Sequence, residues 1–215
     1  MRLICSMVTP VKNIIFDLGG VLINLNYQLT RAAFENLGIA NFNDLYTQHH
    51  ANPLFEQLEV GAIEPEAFYE ALREATGLTH SNTQLETAWN AMLLDFPAER
   101  LQWLDQIKNK YNIYLFSNTN AIHYNAFTAI YAQTAPLIGL HPDFNHFFIE
   151  AHYSHTLGQR KPEVAAFEAV LAQSNLDPAK TLFIDDTISN IEGAQKAGLQ
   201  TLFLSGGLTV MDLGL

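Results

Sequence analysis

The sequence predicts an α/β fold: a parallel β-sheet wrapped by helices and interrupted by an all-helical insertion. Three observations predict it. Apolar runs without a polar break occur at Ile14-Ile15-Phe16, Ile113-Tyr114-Leu115-Phe116 and Leu182-Phe183-Ile184, which is how strands buried on both faces of a sheet read. Helical periodicity fills the stretches between the later runs, and strands alternating with helices imply parallel strands joined by right-handed crossovers. From Asn24 to about Pro97 the strand-like runs disappear and helical periodicity takes over.

Each element has its own local reason. The first strand, over 14–16, ends at Asp17, and Gly19 and Gly20 follow where a turn must form. Val21-Leu22-Ile23 leads into the insertion. There Leu29, Ala32, Ala33 and Leu37 share one helical face, with Gly38 as a C-terminal cap. Asn52-Pro53 punctuates the chain before a short helix carrying Leu54, Phe55 and Leu58, and Gly61 breaks it again. Pro65, between Glu64 and Glu66, opens a helix that runs to Gly77, and a last helix covers about 82–94. Phe55, Phe68 and Trp89 form the insertion's expected apolar core.

The α/β pattern resumes near Pro97, which suits a first helical turn, and that helix carries Leu101, Leu104 and Ile107. The strand over 112–116 ends in Ser117-Asn118-Thr119-Asn120, followed by a helix over about 122–132. Phe147-Phe148-Ile149 reads as a short strand. Residues 158–162 form a loop from which Pro162 opens a helix bearing Val164, Phe167, Val170 and Leu171. The strand over 181–184 ends in Asp185-Asp186, a helix runs from about Ser189 to Gly198, and a final strand covers 200–204. The expected organisation is a core made of 1–23 and 97–215 and a helical cap made of 24–96.

Composition narrows the function. The 215 residues suit one core plus a modest insertion, and 48% are hydrophobic, enough for a real core. The net charge of −11 makes nucleic acid and anionic membrane poor partners. An anionic substrate would need a local cation, a lysine or helix N-termini. Cys5 is the one cysteine, so no intrachain disulfide forms. The first ten residues fall short of a signal peptide and no stretch approaches a membrane span, so the cytoplasm is the expected compartment.

Three strands end in polar clusters: Asp17, Ser117-Asn118 and Asp185-Asp186. Strand ends of one polarity share an edge of a parallel sheet, and ligands bind there. Lys161 lies on the loop before the third cluster. Crowded carboxylates call for a cation, and Mg²⁺ takes hard oxygen ligands. A carboxylate can also attack phosphorus to give an aspartyl phosphate, with Lys161 and Ser117 supplying charge and donors to the phosphoryl group.

Asp17-Leu18-Gly19-Gly20-Val21, Ser117-Asn118, Lys161-Pro162 and Asp185-Asp186 resemble, in order, the four signature motifs of the haloacid dehalogenase-like hydrolase superfamily. The insertion resembles its type-1 cap, and the likeness spans about 12–204. The runs around Ser117, Lys161 and Asp185-Asp186 look closest to its sugar-phosphate phosphatase branch, which includes glucose-1-phosphate phosphatases. The resemblance implies a Rossmann-like core and a Mg²⁺-dependent phosphatase acting on a small phosphorylated metabolite. It implies Asp17 as nucleophile and metal ligand, the Gly19 carbonyl as a second ligand and Asp186 as the metal-binding carboxylate, with Asp185 acting on the metal through water. Ser117 would bind phosphoryl oxygens with Asn118 beside it, and Lys161 would balance charge.

One position departs from the pattern. Phosphatases of this superfamily usually carry a second Asp two residues after the nucleophile, as general acid and base; here that residue is Gly19. Such help is worth about 10²–10⁴-fold. His123, at a helix start after Asn120, is the first alternative proton donor, and both are expected on the substrate side. The turn at Glu59-Val60-Gly61 is the expected cap tip over the substrate. His152, His155 and the pair His49-His50 read as surface or packing residues. Two rival readings remain open: a metal-independent 2-haloacid dehalogenase, and a non-catalytic binding or regulatory protein on the same fold. Metal dependence on an aryl phosphate separates them.

Overall fold

The computed structural model describes residues 10–48 and 50–215; Cys5 and His49 lie outside them. Five parallel strands make the central sheet: β1 (Asn13–Phe16), β4 (Asn112–Ser117), β5 (Glu150–Tyr153), β6 (Thr181–Asp185) and β7 (Gln200–Phe203). Their spatial order is β5-β4-β1-β6-β7. β1 therefore lies between β4 and β6, with Phe16 in register with Leu115 on one side and Ile184 on the other. Asp17, Ser117 and Asp185 consequently leave three adjacent strands at the same edge.

Alternation along each strand divides the core into two layers. Ile14, Phe16, Ile113, Leu115, Leu182 and Ile184 face one side, where Leu101, Leu104 and Ile107 of α5 (Ala98–Ile107) and Phe127 and Tyr131 of α6 (Ala121–Thr134) cover them. Ile15, Tyr114, Phe116 and Phe183 face the other, under α8 (Val164–Gln173) and α9 (Ile188–Lys196). A short helix, α7 (Ser154–Leu157), follows β5. Helices on both faces of a parallel sheet explain the unbroken apolar strands.

Two sequence expectations change here. The strand expected at Phe147-Phe148-Ile149 is displaced to Glu150–Tyr153. Phe144–Phe147 instead winds into a 3₁₀ turn that buries Phe144 and Phe147 beside Phe96 and Tyr131. The helix expected to open at Pro162 begins at Val164, capped by Glu163.

The insertion holds α1 (Tyr27–Asn36), α2 (Pro53–Glu59), α3 (Pro65–Thr76) and α4 (Asn82–Asn90), each opened by a residue suited to it. Asn52 accepts hydrogen bonds from Leu54 and Phe55 N–H groups, and Ser81 with Gln84 forms a reciprocal capping box. It is helical apart from a small ribbon, β2 (Tyr46–Thr47) paired with β3 (His50–Ala51). In α1 the buried residues are Thr30 and Phe34, whereas Leu29 points outward at 43% exposure. Hydropathy missed Thr30 because it is a satisfied polar residue: its hydroxyl donates to the Trp89 carbonyl and accepts from the Met92 N–H.

The insertion has a core of its own, containing Phe34, Phe42, Phe55, Phe68, Leu85 and Trp89. Two connecting segments run side by side, joined by hydrogen bonds from Asn24 N–H to the Asp95 carbonyl and from Leu94 N–H to the Asn24 carbonyl. Trp89 is the centre of this core. It is fully buried, packs edge-on against Phe55 and Tyr46, and stacks at 4.4 Å on His123 of α6. Trp89→Ala is expected to cost about 3–5 kcal/mol, read as a lower midpoint in urea unfolding.

Candidate active site

The site is built around a buried lysine. Lys161 is 1% exposed, and its ammonium lies 2.7 Å from Asp17 Oδ1 and 2.8 Å from Asp185 Oδ2. Its aliphatic stem is walled by Phe116 of β4 and Phe183 of β6, whose ring centroids lie 5.4 and 5.2 Å from the nitrogen. Asn118 holds the lysine's backbone from both sides: its Nδ2 donates to the Lys161 carbonyl at 2.8 Å and its Oδ1 accepts from the Lys161 N–H at 2.9 Å.

Asp185 is fully buried and its acceptors are used inside the protein. Oδ2 meets Lys161, Oδ1 accepts from the Thr187 N–H at 2.8 Å, and the Asn190 amide donates to both oxygens. Asp186 turns the other way, into a cavity of about 130 Å³ that it lines with Asp17, Gly19, Asn118 and Lys161. Ser117 ends β4 in a buried position, its hydroxyl making only a 3.4 Å contact with the next residue's carbonyl.

One oxygen from each of Asp17, Asp185 and Asp186 lies within 4.8 Å of the others. Burial pushes the Asp17 carboxyl up to about 7; Lys161 pulls it down, while Asp185 and Asp186 push it further up. Burial and then Asp185 raise Asp186 as well. Burial opposes the charge on Lys161, but Asp17 and Asp185 outweigh it and raise the ammonium above its ordinary value. Three carboxylates against one lysine leave negative charge uncompensated, and the ligand atoms they offer are hard oxygens. That set fits Mg²⁺, with Asp17 and Asp186 as the side chains free to reach it.

The two glycines after Asp17 differ in kind. Gly20 has φ +72°, and a Cβ there would sit 2.3 Å from Asp186 Oδ2, so the residue must be glycine for the acidic pair to close over it. Gly19 does not adopt a positive φ; a Cβ there would meet only the Leu25 Cδ1 methyl, at 2.7 Å. Leu25 fills the volume in which an acid's side chain would stand.

Asn120 and His123 are not brought to the cavity. Asn120 is fully buried as the N-cap of α6, accepting from the His123 N–H at 3.0 Å. The His123 ring has both nitrogens engaged. Nδ1 faces the Asn120 amide at 3.3 Å and Nε2 faces the Trp89 carbonyl at 3.1 Å, a pairing that assigns the proton to Nε2. Burial lowers its pKa to about 4, against the opposing pull of the Trp89 carbonyl. The sequence placed both residues on the substrate side; the structure places them in the joint between α6 and the insertion. His152 is also buried and meets Ser174 Oγ at 2.8 Å.

Sequence reasoning missed the part of the cavity wall that the insertion supplies. Tyr27, Tyr46 and Gln48 line the same cavity, as does Glu59, and only Glu59 was singled out beforehand. Glu59 is 3% exposed; its Oε1 accepts from the Tyr46 hydroxyl at 3.0 Å and its Oε2 lies 2.9 Å from Arg160 Nε. Arg160 also reaches Glu56 at 3.0 Å. Gly61 backs this turn onto α7, close enough that a Cβ would strike the His155 carbonyl. The one available signal was the Arg160-Lys161 pair, in which the first cation needed a partner across the site.

Residues 11–198 match the haloacid dehalogenase-like hydrolase family. The chain belongs to that family. Among its relatives, a D-ribitol-5-phosphate phosphatase of Bacteroides thetaiotaomicron is 27% identical over 191 residues, 89% of this chain and 90% of the relative. A sesquiterpene phosphatase of Aspergillus oryzae is 29% identical over 220 residues, covering 96% and 97% of the two chains. A crystal structure of a B. thetaiotaomicron haloacid dehalogenase-like enzyme, in complex with magnesium and inorganic phosphate, superposes with a TM-score of 0.82. It is 32% identical and covers 95% of this chain and all of that one. A 2-haloacid dehalogenase from Pseudomonas syringae shares the fold, at 19% identity and a TM-score of 0.53. The glucose 1-phosphate likeness of the sequence is not matched by the names of these phosphatases.

Two expectations follow for this haloacid dehalogenase-like hydrolase. His123 stays neutral when folded down to pH about 4 but protonates near 6.5 when unfolded. The unfolded state therefore binds more protons between those values, and stability falls as pH drops through that window, by on the order of 3 kcal/mol. Tm measured from pH 7 to 4 should fall less steeply in His123→Gln than in the natural protein. Gly19→Asp should fold, because the φ is ordinary and only a leucine methyl must move. A Tm within a few degrees of the natural protein, and a further gain on adding Leu25→Ala, check this.

Proposed function

We propose that the protein is a Mg²⁺-dependent phosphatase of small phosphorylated metabolites, sugar-phosphate-like in class, working through an aspartyl phosphate on Asp17. The observation that carries the reading is the disposition of Asp17 itself. Its Oδ1 is held by Lys161, and no hydrogen bond reaches Oδ2 among the described residues, in a carboxylate that lines the cavity beside Asp186. The phosphatase and magnesium-complex relatives support it.

When bound, Mg²⁺ would be held by Asp17, Asp186 and the Gly19 carbonyl, and would supply positive charge to the phosphoryl oxygens. Asp17 attacks phosphorus, a new O–P bond forms, and the bond from phosphorus to the alcohol oxygen breaks with its electrons leaving on that oxygen. Lys161 offsets charge as it develops on nucleophile and phosphoryl group. Asn118 keeps that lysine in place, Asp185 fixes its other side, and Ser117 offers a hydroxyl to the phosphoryl oxygens. Water then cleaves the acyl phosphate, releasing phosphate and restoring Asp17.

Gly19 supplies no proton, and His123 is committed elsewhere. The leaving oxygen therefore departs with little help from an acid in this loop, and the rate should depend steeply on its basicity. The check is kcat/KM across phosphate esters of graded leaving-group pKa; Gly19→Asp should flatten the dependence, improving the poorest leaving groups most. Asp17→Asn should lower turnover by several orders of magnitude. Chelation of Mg²⁺ should abolish activity, and added Mg²⁺ should raise Tm. Full activity in excess chelator would point instead to metal-free dehalogenase chemistry.

A further inference from the structure

The part of the cavity wall that the insertion supplies has a fixed hydrogen-bond polarity. Tyr46 stands in the ribbon of the insertion, its ring held 4.6 Å from Trp89 and 5.3 Å from Phe55. A phenol has one hydrogen and can otherwise only accept. In Tyr46 that hydrogen is directed to Glu59 Oε1, at 3.0 Å. Burial raises the Glu59 carboxyl, and Arg160, whose Nε lies 2.9 Å from its other oxygen and which carries a permanent positive charge, opposes that rise, as does the bond from Tyr46. The Tyr46 oxygen therefore enters the cavity as an acceptor.

Tyr46 also lines an adjoining cavity of about 370 Å³, and Leu25, Tyr27 and Gln48 are common to both. A substrate with phosphorus at Asp17 shares this cavity with the Tyr46 oxygen. Gln48 and Arg160, in the same wall, carry N–H donors. A hydroxyl group would find an acceptor for its hydrogen and donors for its oxygen. A plain hydrocarbon chain would strip water from these groups and return nothing.

We propose that Tyr46 is a specificity-determining residue, its phenol oxygen accepting a hydrogen bond from a free hydroxyl on the alcohol part of the substrate, which is thereby a hydroxyl-bearing alkyl phosphate. Glu59 and Arg160 act through Tyr46 as positioning residues. The inference rests on the phosphatase reading above and adds to it the class of leaving alcohol and the residue that selects it.

The test measures kcat/KM of the full chain with Mg²⁺ on a five-carbon alditol 5-phosphate, n-pentyl phosphate and p-nitrophenyl phosphate, for the natural protein and Tyr46→Phe. Sites built to bond a hydroxyl reject the analogue lacking it by large factors, and here the alditol ester should exceed the pentyl ester by about 100-fold or more. Tyr46→Phe should lower that ratio at least about tenfold, by slowing the alditol ester and sparing the pentyl ester, which never used the oxygen. A general loss of fold is read separately, from a lowered Tm and a fall in p-nitrophenyl phosphate hydrolysis by Tyr46→Phe. Hydrolysis of p-nitrophenyl phosphate with equal use of alditol and pentyl esters by the natural protein, or with an unchanged ratio in Tyr46→Phe, overturns this inference alone. No turnover of any of the three overturns the phosphatase reading and this inference with it.

Discussion

The structure depends on one buried ammonium. Lys161 sits between Asp17 and Asp185, at the ends of β1 and β6, with the ring of Phe116 from β4 beside it. Burying an ion is costly unless its partners are also buried and well aligned, and removing one partner of such a pair typically costs about 3–5 kcal/mol. The order of the sheet follows that requirement. Had β1 not lain between β4 and β6, the two carboxylates and the loop bearing Lys161 could not have met. Asn118 completes the arrangement by gripping the backbone of the lysine rather than its side chain.

That arrangement separates two adjacent aspartates into two jobs. Successive residues leaving a strand point in opposite directions. Asp185, the last residue of β6, turns inward and is consumed by Lys161, Asn190 and Thr187. Asp186 turns into the cavity beside Asp17. Burial first, and then the neighbouring carboxylates, raise Asp17 and Asp186 together, which is the electrostatic condition under which a divalent cation belongs between them.

The insertion meets the core at two places, one beside the cavity and one at α6. Arg160, next to Lys161, bridges to Glu56 and Glu59 of α2, and His123 of α6 stacks on Trp89 and faces its carbonyl. The consequence is a wall that carries chemistry of its own. Arg160, the residue before Lys161, also stands beside Glu59, which accepts from the Tyr46 phenol in the cavity wall.

The sequence by itself determined the strands β1, β4 and β6, because residues buried on both faces must be apolar in unbroken runs. It determined as well that Asp17 and Asp186 stand at one edge of the sheet, because a carboxylate following such a run has a location fixed by sheet polarity. It did not determine β5, an edge strand reading Glu-Ala-His-Tyr, since an edge has no second neighbour and tolerates polar residues. It did not separate Gly19 from Gly20, which differ by a backbone angle and by what stands 2–3 Å away. It set His123 near the site, correctly in chain position, yet only packing could show its ring turned toward Trp89. Tyr27, Tyr46 and Gln48 were decided by tertiary structure alone. Each lies over 100 residues from Lys161 in the chain, no local pattern marks it, and it becomes part of the site only because the insertion folds back over the sheet edge.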